Sequence, residues 1–140
     1  MRFDLVDRIL EQSQDRIITL KHVTAAEEYL QDHFPSFPVL PGVMMLEALV
    51  QAGQRLLATR HPGPLALGRV RALKFGRFVK PGATLRVEVT LHKEEAGTFD
   101  LKGEATLLDP QGGEPGVAAS GRFTLRPLIV SNGTAEPSVT

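Results

Sequence analysis

From Gly42 to about Thr59 the chain holds no proline, one internal glycine and a nearly unbroken apolar coat, and that coat limits what it can fold into. At roughly 1.5 Å per residue the segment makes a helix about 27 Å long. Val43, Met44, Met45, Leu46, Ala48, Leu49 and Val50 fall on every side of its first half. A helix with no wet face belongs inside a protein or inside an assembly. Pro62, Gly63 and Pro64 end it, and the chain that follows must supply the cover.

That cover reads as a sheet. Leu65 to Phe75, Thr84 to Glu94, Thr98 to Leu108 and Gly116 to Leu125 alternate in polarity and are separated by Pro81-Gly82, Glu95-Ala96-Gly97 and the loop Pro110 to Pro115. The second of them places Leu85, Val87, Val89 and Leu91 on one face and Arg86, Glu88, Thr90 and His92 on the other, the pattern of an antiparallel strand wetted on one side. Arg16 to Val23, rich in β-branched residues, predicts a strand ahead of the helix. Leu5, Val6, Ile9 and Leu10 fall at helical spacing behind Asp4 and Asp7 and predict a short amphipathic helix. Thr24 with Glu27 predicts a capped helical turn. The fold class is therefore α+β, a mostly antiparallel sheet of about five strands wrapped around one long central helix.

With 140 residues, 42% hydrophobic and 23% charged, the chain has enough for one core and not for two. The domain is expected over residues 1–127, with a polar extension at 128–140. The absence of cysteine removes disulfides and thiol nucleophiles, and four scattered histidines do not suggest a metal site. No window is apolar enough for a membrane span, and Asp4 and Asp7 interrupt the start where a signal peptide needs an apolar run, so a cytoplasmic protein is expected. Formal net charge is zero, which argues against a nucleic-acid partner. The charges are nonetheless uneven, because no Asp or Glu occurs between Ala48 and Val87 while that stretch carries Arg55, Arg60, Arg69, Arg71, Lys74, Arg77, Lys80 and Arg86. Two readings stand: a docking face for an acidic partner, or solvated faces whose acidic partners come from elsewhere in the fold.

The chemistry concentrates between Asp32 and Gln51. His33 lies in a loop stiffened by Pro35, Pro38 and Pro41, and Glu47 is the one ionisable group between Gly42 and Gln54. Pro41-Gly42 opens the helix with unpaired N–H groups at the positive end of its dipole, where Gly42 and Val43 can receive a carbonyl oxygen that gains negative charge. A carboxyl group taken out of water favours its neutral form, as a proton donor must. Gln51, one turn on, lies on the same face. The plainer alternatives are that Glu47 pairs with Arg55 and that His33 bonds to backbone. His22 and His92 are expected to face solvent, His61 belongs to a turn, and Met44 and Met45 fill the core or a tunnel wall.

The run H-F-P-x-x-P-V-L-P-G-V-x-x-x-E-A-x-x-Q from His33 to Gln51 resembles the signature of the β-hydroxyacyl-acyl carrier protein dehydratases, the FabZ-type enzymes of hot-dog fold. Leu5 to Glu11 is similar to that family's opening, and Leu73 to Leu85 to a further family segment. The resemblance implies a single hot-dog domain that dehydrates 3-hydroxyacyl thioesters in fatty acid or related acyl-chain or polyketide synthesis. It implies His33 as the base that removes the α-proton, and Glu47 of a partner subunit as the acid that protonates the departing hydroxyl. Gly42 and Val43 would hold the thioester, supported by Pro41 and Gln51. No metal or redox cofactor is implied, since the substrate rides on the phosphopantetheine of an acyl carrier protein. The implied assembly is a homodimer or trimer of dimers, with Arg71, Lys74, Arg77 and Lys80 as carrier-docking residues. Asp32, Ser36, Phe37, Val50, Phe78 and Ala83 depart from the family pattern without removing a catalytic group. Asp32 is placed to tune His33, and Phe37 and Phe78 to narrow the tunnel. A hot-dog acyl thioesterase and a non-catalytic acyl-binding homologue are the competing readings.

Overall fold

The computed structural model describes residues 4–23, 40–108 and 115–128. The expected turn at Thr24, the loop bearing Asp32, His33 and Phe37, and the tail from 129 onward lie outside the described residues. Six strands, β1 (Arg8–Gln12), β2 (Arg16–His22), β3 (Leu65–Phe75), β4 (Thr84–Glu95), β5 (Thr98–Leu108) and β6 (Gly116–Pro127), form one sheet in the order β1-β2-β4-β5-β6-β3. Each neighbouring pair is antiparallel. The single described helix, α1 (Gly42–Leu57), lies across the sheet.

Strand alternation sets the inner face. Leu85, Val87 and Val89 of β4, Leu101 and Ala105 of β5, and Phe123 and Leu125 of β6 are all sealed against Leu49, Leu56 and Leu57 of the helix. Each large side chain buried this way contributes about 1.5–3 kcal/mol over leaving it in water. The helix can come this close because Gly53 faces the sheet, where a Cβ would lie 3.3–3.4 Å from Leu125, Phe123 and Leu101. Two departures from the family pattern, Val50 and Ala83, are buried in this core, whereas Phe78 is exposed. Among the described residues no helix is long and apolar enough to cross a membrane.

One expectation is overturned. Leu5 to Leu10 is not a helix but an extended run that becomes strand β1, with Arg8 paired to Leu20 and Gln12 to Ile17. Leu5 and Val6 enter the core, while Ile9 and Leu10 are exposed, so the apolar residues that share a helical spacing do not share a face. Pairing with β2 satisfies the backbone that a two-turn helix would leave half unpaired.

Both edges of the sheet depart from ideal geometry, and β3 does so twice. Leu67 pairs with Leu125 but Val70 with Phe123, and Arg71 with Arg122 but Lys74 with Ser120. Three residues therefore oppose two at each step, a β-bulge, and Ala72 takes a positive φ of 52° at the second. Opposed residues share a face, so Leu67, Val70 and Phe75 follow Leu125, Phe123 and Ala119 onto the inner side. They overhang the helix there, because α1 packs mainly on β4, β2, β6 and β5 and only lightly on β3.

Candidate active site

The helix begins at an N-cap, Pro41, that has an extended backbone and no side-chain cap, and no acidic residue occupies the first turn. Met44 N–H and Met45 N–H both donate to Pro41 C=O, at 3.0 and 3.2 Å. Gly42 N–H and Val43 N–H precede any intrahelical acceptor and carry the positive end of the dipole. Leu40 N–H donates to Val79 C=O at 2.7 Å, which ties the entry to the segment after β3. That segment is closed by a turn in which Ala83 N–H donates to Lys80 C=O at 3.2 Å with Gly82 at φ 98°, a conformation glycine adopts without strain. The phenyl ring of Phe75 covers the helix start: a Cβ on Gly42 would come within 3.0–3.3 Å of three ring atoms. Glycine at 42 thus allows the ring its close approach; a Cβ there would press it outward by a few tenths of an ångström.

Glu47, one turn further in, is half-buried and lines an apolar groove of about 840 Å³. Its walls are Val43, Met44 and Leu46 of the helix on one side and Leu65, Leu67 and Leu128 on the other, with Gln54 and His61 farther along. The pairing of Glu47 with Arg55 does not occur, since the ion-pair partner of Arg55 is Asp4 at 3.9 Å. Gln51 Nε2 instead donates to Glu47 Oε2 at 3.0 Å, and Gln51 Oε1 accepts from Leu5 N–H at 2.7 Å. The groove has the features a hydrocarbon chain and one proton transfer need: apolar walls, a carboxyl group, and backbone donors at one end.

The two methionines divide the roles expected of them, Met45 in the core and Met44 on the groove wall. His22 and His92 face solvent as expected, with His22 Nδ1 2.9 Å from Thr84 Oγ1. His61 is not merely a turn residue. It lines the groove, with Nδ1 3.4 Å from Gly63 C=O and its ring edge-on to Phe99 at 6.1 Å. Phe75, Leu67 and Leu128 were not marked by the sequence as site residues either. Leu67 and Phe75 keep the inner face that counting from Leu65 gives them, since the first bulge follows Leu67 and the second restores the count; what alternation cannot tell is that the helix entry and the groove lie beside them.

The basic stretch splits. Arg60 reaches Asp15 and Glu94 at 3.8 and 3.9 Å, Arg86 reaches Glu88 at 3.3 Å, and Arg71 reaches Asp100 at 3.4 Å. Asp100 is 9% exposed and is also approached by Arg122 at 3.2 Å, so it holds two guanidinium groups against the outer face of the sheet. Arg55 likewise faces Asp4, so Arg55, Arg60 and Arg71 draw acidic partners from elsewhere in the fold, whereas Arg86 finds its own two residues on. Lys74 and Arg77 are exposed at the end of β3, beside the segment that anchors the helix entry. Lys80 is exposed at the end of that segment.

Among known proteins, a family model of ApeI-like dehydratases, described as ApeI dehydratase, matches residues 10–108. A relative from Oenococcus oeni named 3-hydroxyacyl-[acyl-carrier-protein] dehydratase FabZ is 42% identical over 126 residues, covering 87% of this chain and 88% of its own. The ApeI:P dehydratase heterocomplex of Xenorhabdus doucetiae has a similar structure, with a TM-score of 0.68, 22% identity, and coverage of 89% of this chain and 99% of that one. An acyl-CoA hydrolase from Bacillus cereus reaches a TM-score of 0.67 at 15% identity, covering 83% and 67%. The last two likenesses concern the fold alone.

Proposed function

Because the chain belongs to the ApeI-like dehydratase family and shares the hot-dog fold of the FabZ-type enzymes, we propose that it dehydrates 3-hydroxyacyl thioesters carried by an acyl carrier protein. It is a dehydratase of fatty acid or related biosynthesis. The observation that carries the reading is Glu47, a lone carboxyl group of the helix wall, held by Gln51 and set on an apolar groove next to an uncapped helix N-terminus.

The chemistry divides between two groups. An α-proton is acidic only if the enolate charge is stabilised, which is the task of Gly42 N–H and Val43 N–H on the thioester carbonyl, with Pro41 shaping the turn. His33 takes that proton, the electron pair forms the new double bond, the carbon–oxygen bond breaks, and Glu47 gives its proton to the departing hydroxyl so that water leaves. The reaction as written needs neither metal nor redox cofactor. The carrier would dock through Lys74, Arg77 and Lys80 beside the helix entry and through Arg71, whose guanidinium also faces Asp100. We place the reaction in the cytoplasm.

The smallest active unit in this reading is a homodimer, alone or as a trimer of dimers, with His33 and Glu47 of each site on different chains. Support comes from Val43, 69% exposed on a helix whose other apolar residues are largely covered, and from the overhanging inner face of β3. The decisive assay follows hydration and dehydration of short and long enoyl and 3-hydroxyacyl carrier thioesters. His33→Ala should abolish turnover and Glu47→Gln should lower it about 10²- to 10⁴-fold. Refolded as a mixture, the two inactive proteins should recover about a quarter of wild-type activity through mixed dimers that carry one intact site. Thioester hydrolysis with no hydration would decide for a thioesterase, no turnover of either kind for an acyl-binding homologue, and full activity of folded His33→Ala would refute the mechanism.

A further inference from the structure

The segment ahead of β1 is buried in a way that strand pairing does not require. Leu5 and Val6 are 1% and 6% exposed. Hydrogen bonds pin them on both sides, since Asp4 Oδ1 accepts from Val6 N–H at 3.1 Å, Asp7 N–H donates to Leu20 C=O at 2.9 Å, and His22 N–H donates to Asp7 Oδ2 at 2.7 Å. Asp7 also lies 3.5 Å from the ammonium group of Lys21. The result is a strap, residues 4–7, whose Leu5 N–H points at Gln51 Oε1 from 2.7 Å in a buried setting.

A backbone N–H can only donate, so the Gln51 atom that faces it must be the carbonyl oxygen. This fixes the orientation of the amide, and its nitrogen must then face Glu47, where it donates to Oε2 at 3.0 Å. An amide nitrogen also can only donate, and a protonated carboxyl oxygen is the poorer acceptor. Oε2 is therefore the bare oxygen in both charge states of Glu47, and the transferable proton belongs on Oε1.

We propose that the 4–7 strap is a positioning element for Glu47: through Leu5 N–H and Gln51 it fixes the rotation of the carboxyl group and assigns its proton to Oε1. The proposal rests on the reading of Glu47 as proton donor to the departing hydroxyl. In the transfer the Oε1–H bond breaks and the same proton completes a water molecule, so the strap acts on the barrier of the chemical step and not on substrate binding.

The test uses the full chain and crotonyl-pantetheine hydration, with kcat and KM read separately and folding checked by circular dichroism. Gln51→Leu, which keeps the bulk but not the relay, and Leu5→Pro, which removes the donor, should each lower kcat about 10²-fold, the usual scale for a misplaced catalytic group, with KM little changed. In a Glu47→Gln background, where there is no proton to place, adding Gln51→Leu should cost nothing further. Amide hydrogen exchange by NMR supplies a readout independent of activity: Leu5 N–H should be protected in the wild type and exposed in Gln51→Leu. Rapid exchange of Leu5 in the wild type, wild-type kcat in folded Gln51→Leu, a rise in KM alone, or full additivity with Glu47→Gln would each overturn the strap. If Leu5→Pro does not fold, the exchange rates and Gln51→Leu still decide. Undiminished turnover in Glu47→Gln is a separate outcome, which removes the role of the carboxyl group itself.

Discussion

Val43 gives the sharpest handle on assembly, because its side chain is 69% exposed at the start of a helix whose remaining apolar coat is largely covered. Full burial of a side chain of this class is worth about 1.5–3 kcal/mol, so covering the exposed part with a second subunit recovers about 1–2 kcal/mol. A two-fold axis counts it twice, about 2–4 kcal/mol per dimer. Val43→Ser should therefore raise the dimer dissociation constant about 30- to 700-fold. Leu67 is 37% exposed on the same groove, and the same arithmetic for Leu67→Ser gives about 6- to 40-fold. Stability of the isolated chain should move little with Val43→Ser, within about 0.5 kcal/mol, because that side chain has little cover to lose. Sedimentation velocity across a dilution series measures dissociation, and specific activity on crotonyl-pantetheine over the same series should fall as dimers dissociate. Val43→Ser that dissociates no more readily than wild type would refute the reasoning, as would a dimer weakened more by Leu67→Ser than by Val43→Ser. Full activity per chain in a dissociated protein would show that the site needs no second copy.

Two further outcomes follow from charge. Reversal of Lys74 and Arg77 to glutamate should raise KM for carrier-bound substrate, more at low salt than at high, and leave a pantetheine substrate alone, since exposed charge acts on encounter. Equal losses on both substrates would locate the defect in folding or in the groove. The hydrogen bond from Arg16 Nε to Glu88 Oε2 at 2.7 Å holds the Glu88 carboxyl below its ordinary value; burial opposes it, and the Arg16 charge and Arg86 add lesser support. A lowered native value adds stability above the unfolded value of about 4.5 and loses it as pH falls through the native one. Glu88→Gln should thus cost about 0.5–1 kcal/mol near pH 7 and much less in acid, read as urea midpoints against pH; a cost that does not change with pH would show that packing, not charge, is at work.

What the sequence by itself determined is whatever depends on neighbours along the chain. The apolar coat from Gly42 onward gives the helix, alternation and turn residues give β2 to β6 within a residue or two, and the motif from His33 to Gln51 gives the family and Glu47 on the same helix face as Gln51. Spacing misleads where pairing with another strand decides the structure. Leu5 to Leu10 fits a helix by spacing, and it runs into a strand because β2, the next element along the chain, offers a backbone ladder. The bulges in β3 turn Val70 inward and leave Leu67 and Phe75 on the face that counting from Leu65 gives them, but the groove wall and the cover on Gly42 depend on where α1 crosses the sheet. Arg71 looked free until the fold set it against Asp100, twenty-nine residues on, and the Leu5 N–H that orients Gln51 comes from forty-six residues away. Local periodicity records which face a residue prefers, whereas hydrogen-bond partners and ion pairs are settled by chain crossings that only the tertiary structure brings within about 3 Å.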